Sequence, residues 1–178
     1  MKYFDELTSS MSRLSLNTNS IFIGQAVEYP GTAIYKTLQG VPAEQKLELP
    51  VFEDTQLGMS IGLSLLGYSV VSIFPRWNFL VCASNQLINH LDKLPTITDN
   101  QVNPGLIIRT SVGSERPLFP GYQHIGNYSE GMRLMLDNVE IIELFEPEDI
   151  APAYNKAYNR RDGKSTLLVE FMDFYNEK

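Results

Sequence analysis

Short, nearly continuous apolar runs alternate along this chain with longer stretches in which apolar residues recur at helical spacing. Phe4, Leu7, Met11 and Leu14 fall on one such face, which predicts an amphipathic helix over 3–15. Asn17-Thr18-Asn19 breaks it, and Ser20-Ile21-Phe22-Ile23, ending at Gly24, has the pattern of a buried strand. The segment 25–40 contains Pro30-Gly31 and no clear period, which predicts a loop with one helical turn near Thr37. A second short strand is predicted over 47–51, then a helix over 54–66 closed by Gly67. Residues 69–74 read as a strand rich in β-branched side chains, stopped by Pro75. A helix follows over 77–94, with Pro95 as its expected end. Then come a buried strand over 105–110, a Gly/Pro-rich loop over 111–127 and a helix over 128–136. A strand over 139–145, a helix over 147–159 with acidic Glu148 and Asp149 in its first turn, and a strand over 165–171 complete the pattern.

Strands and helices alternate, and most strands are continuous apolar runs, which means that both their faces are covered. The expected architecture is an α/β fold: a single domain over 1–178 with a mostly parallel twisted sheet and helices on both faces. In such sheets ligands sit beyond the carboxyl ends of the strands. Glu53, the 75–79 segment and the loop containing His124 all follow predicted strands, so they can share that edge. A loop as long as 111–127 inside a compact domain is usually functional.

Charge narrows the partners. The net charge is −7 and the 14 basic residues are scattered, so nucleic acid and anionic membrane surfaces are poor candidates. No apolar run approaches the ~20 residues needed to span a bilayer. The start, Met1-Lys2-Tyr3-Phe4-Asp5-Glu6, turns acidic too soon for a signal peptide. The single cysteine, Cys82, cannot form an internal disulfide and is expected to be a small buried residue. These features lead to the expectation of a soluble, cytoplasmic chain.

One stretch concentrates the candidate chemistry. Glu53 stands at the mouth of a helix that is apolar on almost every side and carries glycines at positions 58 and 62. Each glycine costs a helix interior roughly 1 kcal/mol relative to alanine. Close approach of another backbone offsets such a cost, so Gly58 and Gly62 are expected to face a second chain. Glu53 could simply complement the helix amino end, but Asp54 and Thr55 serve that role equally well. His124 lies in the Gly/Pro-rich loop, where its neutral pKa range suits proton exchange with a substrate. His90 is given a structural role within its helix. Arg109 and Arg116 flank the same loop and could hold a carboxylate or lie on the surface. The two histidines and one cysteine give no zinc spacing. There is also no glycine-rich nucleotide loop and no serine nucleophile elbow.

At this point the sequence resembles a family. Glu53, Gly58-Met59 and Gly62-Leu63 follow the spacing of the pyrimidine-binding domain of thiamine diphosphate enzymes. The wider match is to the β subunit of the 2-oxo acid dehydrogenase decarboxylase component and, more loosely, to the central domain of transketolase. Ile21-Phe22-Ile23-Gly24-Gln25-Ala26-Val27 is similar to that family's first strand and turn, and Pro50-Val51-Phe52-Glu53 to its "PISE" segment. Phe74-Pro75-Arg76-Trp77-Asn78-Phe79 resembles its aromatic turn, Gln123-His124 its active-site "QH", and 139–149 its last strand-to-helix passage.

The resemblance implies that Glu53 hydrogen-bonds N1′ of the cofactor's aminopyrimidine and promotes its imino tautomer, so that the exocyclic nitrogen takes the thiazolium C2 proton. It implies that Phe79 packs an aromatic ring against the aminopyrimidine, that Trp77 lines the entrance, that Gln25 lies near the cofactor, and that His124 exchanges protons with substrate. Three departures qualify this. No G-D-G…N segment is present to bind magnesium and diphosphate; the family's C-terminal domain has no counterpart after Lys178; and Gln25 replaces a common glutamate. The expectation is therefore a subunit of a split enzyme acting on a 2-oxo acid. A diphosphate-binding α-like chain carries the magnesium and pairs across Gly58 and Gly62 in a heterodimer or heterotetramer. Ketol transfer of the transketolase type, or a non-catalytic partner-binding role, are the alternatives.

Overall fold

The computed structural model describes residues 2–178. Its six strands are β1 (Ser20–Gly24), β2 (Lys46–Glu48), β3 (Ser69–Ile73), β4 (Leu106–Val112), β5 (Val139–Glu143) and β6 (Ser165–Phe171). All pair in parallel, in the order β2-β1-β3-β4-β6-β5. Helices α1 (Tyr3–Leu14), α2 (Ala33–Thr37) and α3 (Glu53–Leu65) precede β3. After it come α4 (Trp77–Leu80), α5 (Leu94–Ile97), α6 (Ser129–Arg133), α7 (Pro147–Tyr158) and α8 (Phe174–Glu177).

The continuous apolar runs have a direct cause. Successive strand residues point to opposite faces, and here each face has its own core. Phe22, Val71, Ile107 and Leu168 pack with Leu7 and Met11 of α1 and Tyr154 of α7. Their neighbours Ile23, Val70, Ile108 and Val169 pack with Leu57 of α3, Trp77 and Leu87 on the other side. Within the first layer, Arg109 and Glu170 form a fully buried ion pair, Nε to Oε1 at 2.6 Å. Thr37 accepts from Arg109 and Tyr154 donates to Glu170, so the pair is hydrogen-bonded on all sides. Burial opposes the charge on Arg109, yet Glu170 beside it holds the guanidinium pKa well above its ordinary value.

Several boundaries differ from those expected. β2 is shorter than 47–51, and 49–52 runs as irregular chain into α3. The helix expected over 77–94 is divided into α4, a 3₁₀ turn at Val81–Ala83 and a π-helical segment at Gln86–Leu91. Pro95 does not end it but sits in the first turn of α5, where its missing N–H costs nothing. Cys82, expected to be buried, is exposed, and so is His90.

The order of the strands places the site. β2 lies on one side of β1 and β3 on the other, so the chain reverses direction across the sheet between them. Their carboxyl ends approach closely because Gly24 has no side chain: a Cβ there would lie 2.1 Å from the Ile73 carbonyl oxygen. With φ at +144°, Gly24 also holds a conformation that L residues rarely adopt. Gly24→Ala is expected to destabilise the chain by about 3 kcal/mol from strain and overpacking, measured by urea denaturation; an unchanged midpoint would mean that these ends are looser than described.

Candidate functional site

The loop after β1 is held by one carboxylate. Glu48, at the end of β2, accepts the backbone N–H of Ala26 at 3.0 Å on Oε1. Its Oε2 accepts those of Val27 and Glu28, both at 2.6 Å, and of Tyr29 at 3.3 Å. Consecutive N–H groups converging on one anion form a nest, and the left-handed Ala26 (φ 59°) is the turn that aims them. Glu48 carries no distinguishing mark along the chain; only its neighbours in space reveal its role.

This loop presents Gln25 to Glu53. Both are buried, and Gln25 Nε2 donates to Glu53 Oε1 at 3.1 Å. Among the described residues the second carboxylate oxygen accepts no hydrogen bond. Glu53 opens α3, which is fixed against β3 by side chains that periodicity left unremarked. Gln56 donates to the Ile73 carbonyl at 2.9 Å, and Ser60 donates to Ser72 Oγ at 2.9 Å. The helix thus turns polar Gln56 and Ser60 inward and leaves Met59, Gly62, Leu65 and Leu66 outward. Among the described residues no backbone explains the glycines: a Cβ on Gly62 would meet nothing within 4 Å, and one on Gly58 only the Gln86 side chain at 3.5 Å.

A second pair forms beyond β3. Phe79 and His124 pack edge to face with ring centroids 5.8 Å apart. His124 Nδ1 is buried without a hydrogen-bond partner. Asn78 steadies the loop by accepting from Gly126 N at 3.2 Å and donating to Tyr128 at 2.9 Å. Gln25 N donates to the Ile73 carbonyl at 3.4 Å, so the two pairs sit on adjacent strand ends. No hydrogen bond or ring contact joins them directly among the described residues.

Two expectations are corrected here. Trp77 does not line an entrance: it is fully buried in the core, with its indole N–H donated to Ser129 Oγ at 3.2 Å. Arg109 cannot reach a substrate, because Glu170, Thr37 and Tyr175 take its donors inside the core. Arg116 is paired with Glu177 at 2.6 Å and Asp173 at 3.5 Å. Arg76, which the sequence did not single out, is a cation at this edge that forms no salt bridge among the described residues. It donates only a long bond, 3.4 Å, to the His124 carbonyl, and partial burial lowers its pKa from the ordinary guanidinium value. Among the described residues, no group of three or more His, Cys, Asp or Glu is placed to hold a metal ion. Nor is any helix long and apolar enough to cross a membrane.

No protein-family model matches the chain. The β subunit of the pyruvate dehydrogenase E1 component of Gracilaria tenuistipitata var. liui is 24% identical over 180 residues, covering 98% of this chain and 54% of that protein. The chain thus spans about half the length of the curated relative it matches. Among solved structures, an inactive β4 tetramer of a split-gene transketolase superposes with a TM-score of 0.71 at 11% identity. The superposition covers 94% of this chain and 50% of that one. A protein from Mycobacterium smegmatis, provisionally described as a thiamin diphosphate-dependent enzyme, gives 0.67 at 17% identity, covering 94% and 31%. At such identities the likeness is one of fold. The fold is a transketolase-like α/β fold with an all-parallel sheet, in agreement with the fold that the resemblance read from the sequence implies.

Two outcomes test this geometry. Glu48→Gln leaves N–H groups short of acceptors and is expected to cost about 1–3 kcal/mol, with faster hydrogen exchange at the amides of 26–29; unchanged exchange there would refute the nest. Gly62→Ala is expected to stabilise the isolated chain by about 0.5–1 kcal/mol, since its methyl group meets nothing. A lower urea midpoint for that variant would show that the position is crowded.

Proposed function

We propose that this chain is the pyrimidine-binding half of a thiamine diphosphate-dependent enzyme acting on a 2-oxo acid. A second, α-like chain with the G-D-G…N segment supplies the diphosphate and magnesium site. The observation that carries this reading is the buried Glu53 carboxylate, held by Gln25 through one oxygen and free at the other. A buried carboxylate with an open valence suits a partner that exchanges a proton with it, and the aminopyrimidine N1′ is such a group. Bound here, the cofactor supplies the electron sink that a 2-oxo acid needs when the bond beside its carbonyl breaks.

The residues of this chain divide the remaining work. Glu53 holds or returns the proton at N1′, and Gln25 keeps its carboxylate in place. Phe79 offers an aromatic surface to the pyrimidine. His124 Nδ1, unpartnered within the chain, exchanges a proton with a substrate oxygen. Arg76 faces the substrate carboxylate. That unpaired cation favours a 2-oxo acid over ketol transfer, which the split-gene transketolase among the similar folds keeps as the alternative chemistry. The unsatisfied valences of Glu53 and His124 speak against a non-catalytic role. Residues 1–178 then act as one pyrimidine-binding domain, in a cytoplasmic heterodimer or heterotetramer, with Gly58 and Gly62 lying under the partner's backbone. The exposed Val51, Met59, Leu65 and Leu66 around them support that placement, because clustered apolar surface of this kind marks interaction sites.

Co-purification with a chain carrying G-D-G…N, followed by calorimetric titration of thiamine diphosphate with magnesium, is the direct test. The pair is expected to bind cofactor. Glu53→Ala in the pair is expected to lower turnover of a 2-oxo acid by at least about 100-fold while the melting curve stays in place. A pair that assembles but binds no cofactor, or near-normal turnover by Glu53→Ala, would overturn the reading.

A further inference from the structure

The opposite edge of the sheet carries a cavity of about 330 Å³, at the amino ends of β1, β3 and β4. That volume falls at the lower end of small-molecule sites, which run to roughly 300–1,000 Å³. Its apolar floor comes from Leu14, Val71, Ile107 and Ala157, all members of the first core layer, and Tyr68 and Tyr158 also line it. Among the described residues its charged lining is Arg160, Arg161 and Lys164, with no carboxylate, although the chain as a whole has a net charge of −7.

The three cations are not equivalent. Arg160 is neutralised by Glu140 and Asp162. Arg161 and Lys164 form no salt bridge among the described residues, and each donates to a backbone carbonyl only. Arg161 reaches the Arg160 oxygen at 2.6 Å and Lys164 the Asp137 oxygen at 2.9 Å. Basic residues after a helix commonly complement its carboxyl end, and α7 ends beside this cavity. Neither acceptor, however, lies in the last turn of α7, so that role does not account for them. With five donors on a guanidinium and three on an ammonium, both keep free N–H groups.

The walls are built in advance. Gly163, at φ +76°, passes so close to Asn103 that a Cβ would lie 2.9 Å from its Oδ1. Ser165 Oγ donates to the Pro104 carbonyl at 2.7 Å and accepts from Leu106 N at 3.1 Å, joining the loops before β4 and β6. Asn17 ties Ser69 Oγ at 3.2 Å to Tyr158 OH at 2.9 Å on the other side. Lys164 acts at longer range on the Asp137 carboxylate, and Arg161 is the more available of the two. A preformed apolar floor with two cations outside any ion pair at the rim selects a specific chemistry: an anionic group on a flat or apolar body.

The geometry points to a second ligand site at this edge, which takes a small organic anion, a phosphate or carboxylate attached to an aromatic or apolar group. Arg161 and Lys164 meet the charge, and the floor between Tyr68 and Tyr158 receives the body. The site stands apart from the Glu53 edge by the length of the strands, about 15 Å for a five-residue strand. It requires neither a partner chain nor a cofactor, so it stands or falls independently of the proposed activity.

Titration of the ¹⁵N-labelled chain with phenyl phosphate, inorganic phosphate and phenol, followed by amide shifts, tests it. Phenyl phosphate is expected to bind saturably, with shifts centred on residues 68–71 and 163–165. Inorganic phosphate, which lacks the apolar body, is expected to bind at least about tenfold more weakly, and phenol not to saturate. The double variant Arg161→Ala/Lys164→Ala is expected to melt at the same temperature and bind phenyl phosphate about tenfold more weakly. No saturation by phenyl phosphate, equal affinity for inorganic phosphate, equal affinity in the double variant, or shifts centred on the Glu53 edge would each overturn the assignment.

Discussion

The carbonyl of Ile73 and the backbone of Gly24 share a space that admits no side chain, and the carboxyl edge of the sheet is arranged around that contact. The same Ile73 oxygen accepts from Gln56 of α3 and from the backbone of Gln25. One carbonyl therefore links the end of β3, the loop after β1 and the helix that begins with Glu53. Fixing these three segments together brings Gln25 to hydrogen-bond distance of Glu53. Glu48 completes the arrangement from β2, drawing four successive amides around a single carboxylate.

Helix α3 turns polar as well as apolar side chains toward its own sheet, and this follows from the same constraint. Gln56 and Ser60 face the sheet to bond β3 beside the buried Leu57 and Ile61, while Met59, Leu65 and Leu66 are left outward. A helix that spends polar groups on its own sheet and shows Met59, Gly62 and Leu66 to the outside is stable alone only in a limited sense. Its free face has hydrophobic surface to bury, and glycine at its centre removes the side-chain barrier to a second backbone. The open valences of Glu53, His124 and Arg76 lie at one end of the sheet, and Arg161 and Lys164, outside any ion pair among the described residues, at the other. The buried Arg109–Glu170 pair belongs to neither, because its hydrogen bonds close on themselves inside one layer.

The parallel α/β architecture was legible from periodicity because a strand covered on both faces must be apolar at consecutive positions. Phe22 and Ile23 serve opposite cores, and so do Val70 and Val71. Helix boundaries were less legible where local signals conflict: Pro95 reads equally as the stop of one helix or the first turn of the next. Of the candidate site, Glu53 and His124 were visible as residues following strands, and Gln25 and Phe79 through the family resemblance. Glu48, Gln56 and Arg76 were not, since a lone acid, amide or arginine carries no periodic mark. Trp77 and Arg109 looked available because the sequence cannot tell a side chain at the mouth of a site from one turned into the core.

The chain's sequence by itself determined its layers, since hydrophobic burial acts through patterns of a few residues that can be read along the chain. It also placed an acid at the start of a helix that carries two glycines. Tertiary structure alone decided which valences close and which stay open, because hydrogen bonds and ion pairs join groups distant in sequence, as Arg109 and Glu170 are. Through such pairings Arg109 is consumed while Arg76 stays outside any salt bridge among the described residues, Trp77 is sealed in and His124 Nδ1 left without a partner, and Gly62 of α3 faces outward with nothing described within 4 Å of where a Cβ would sit.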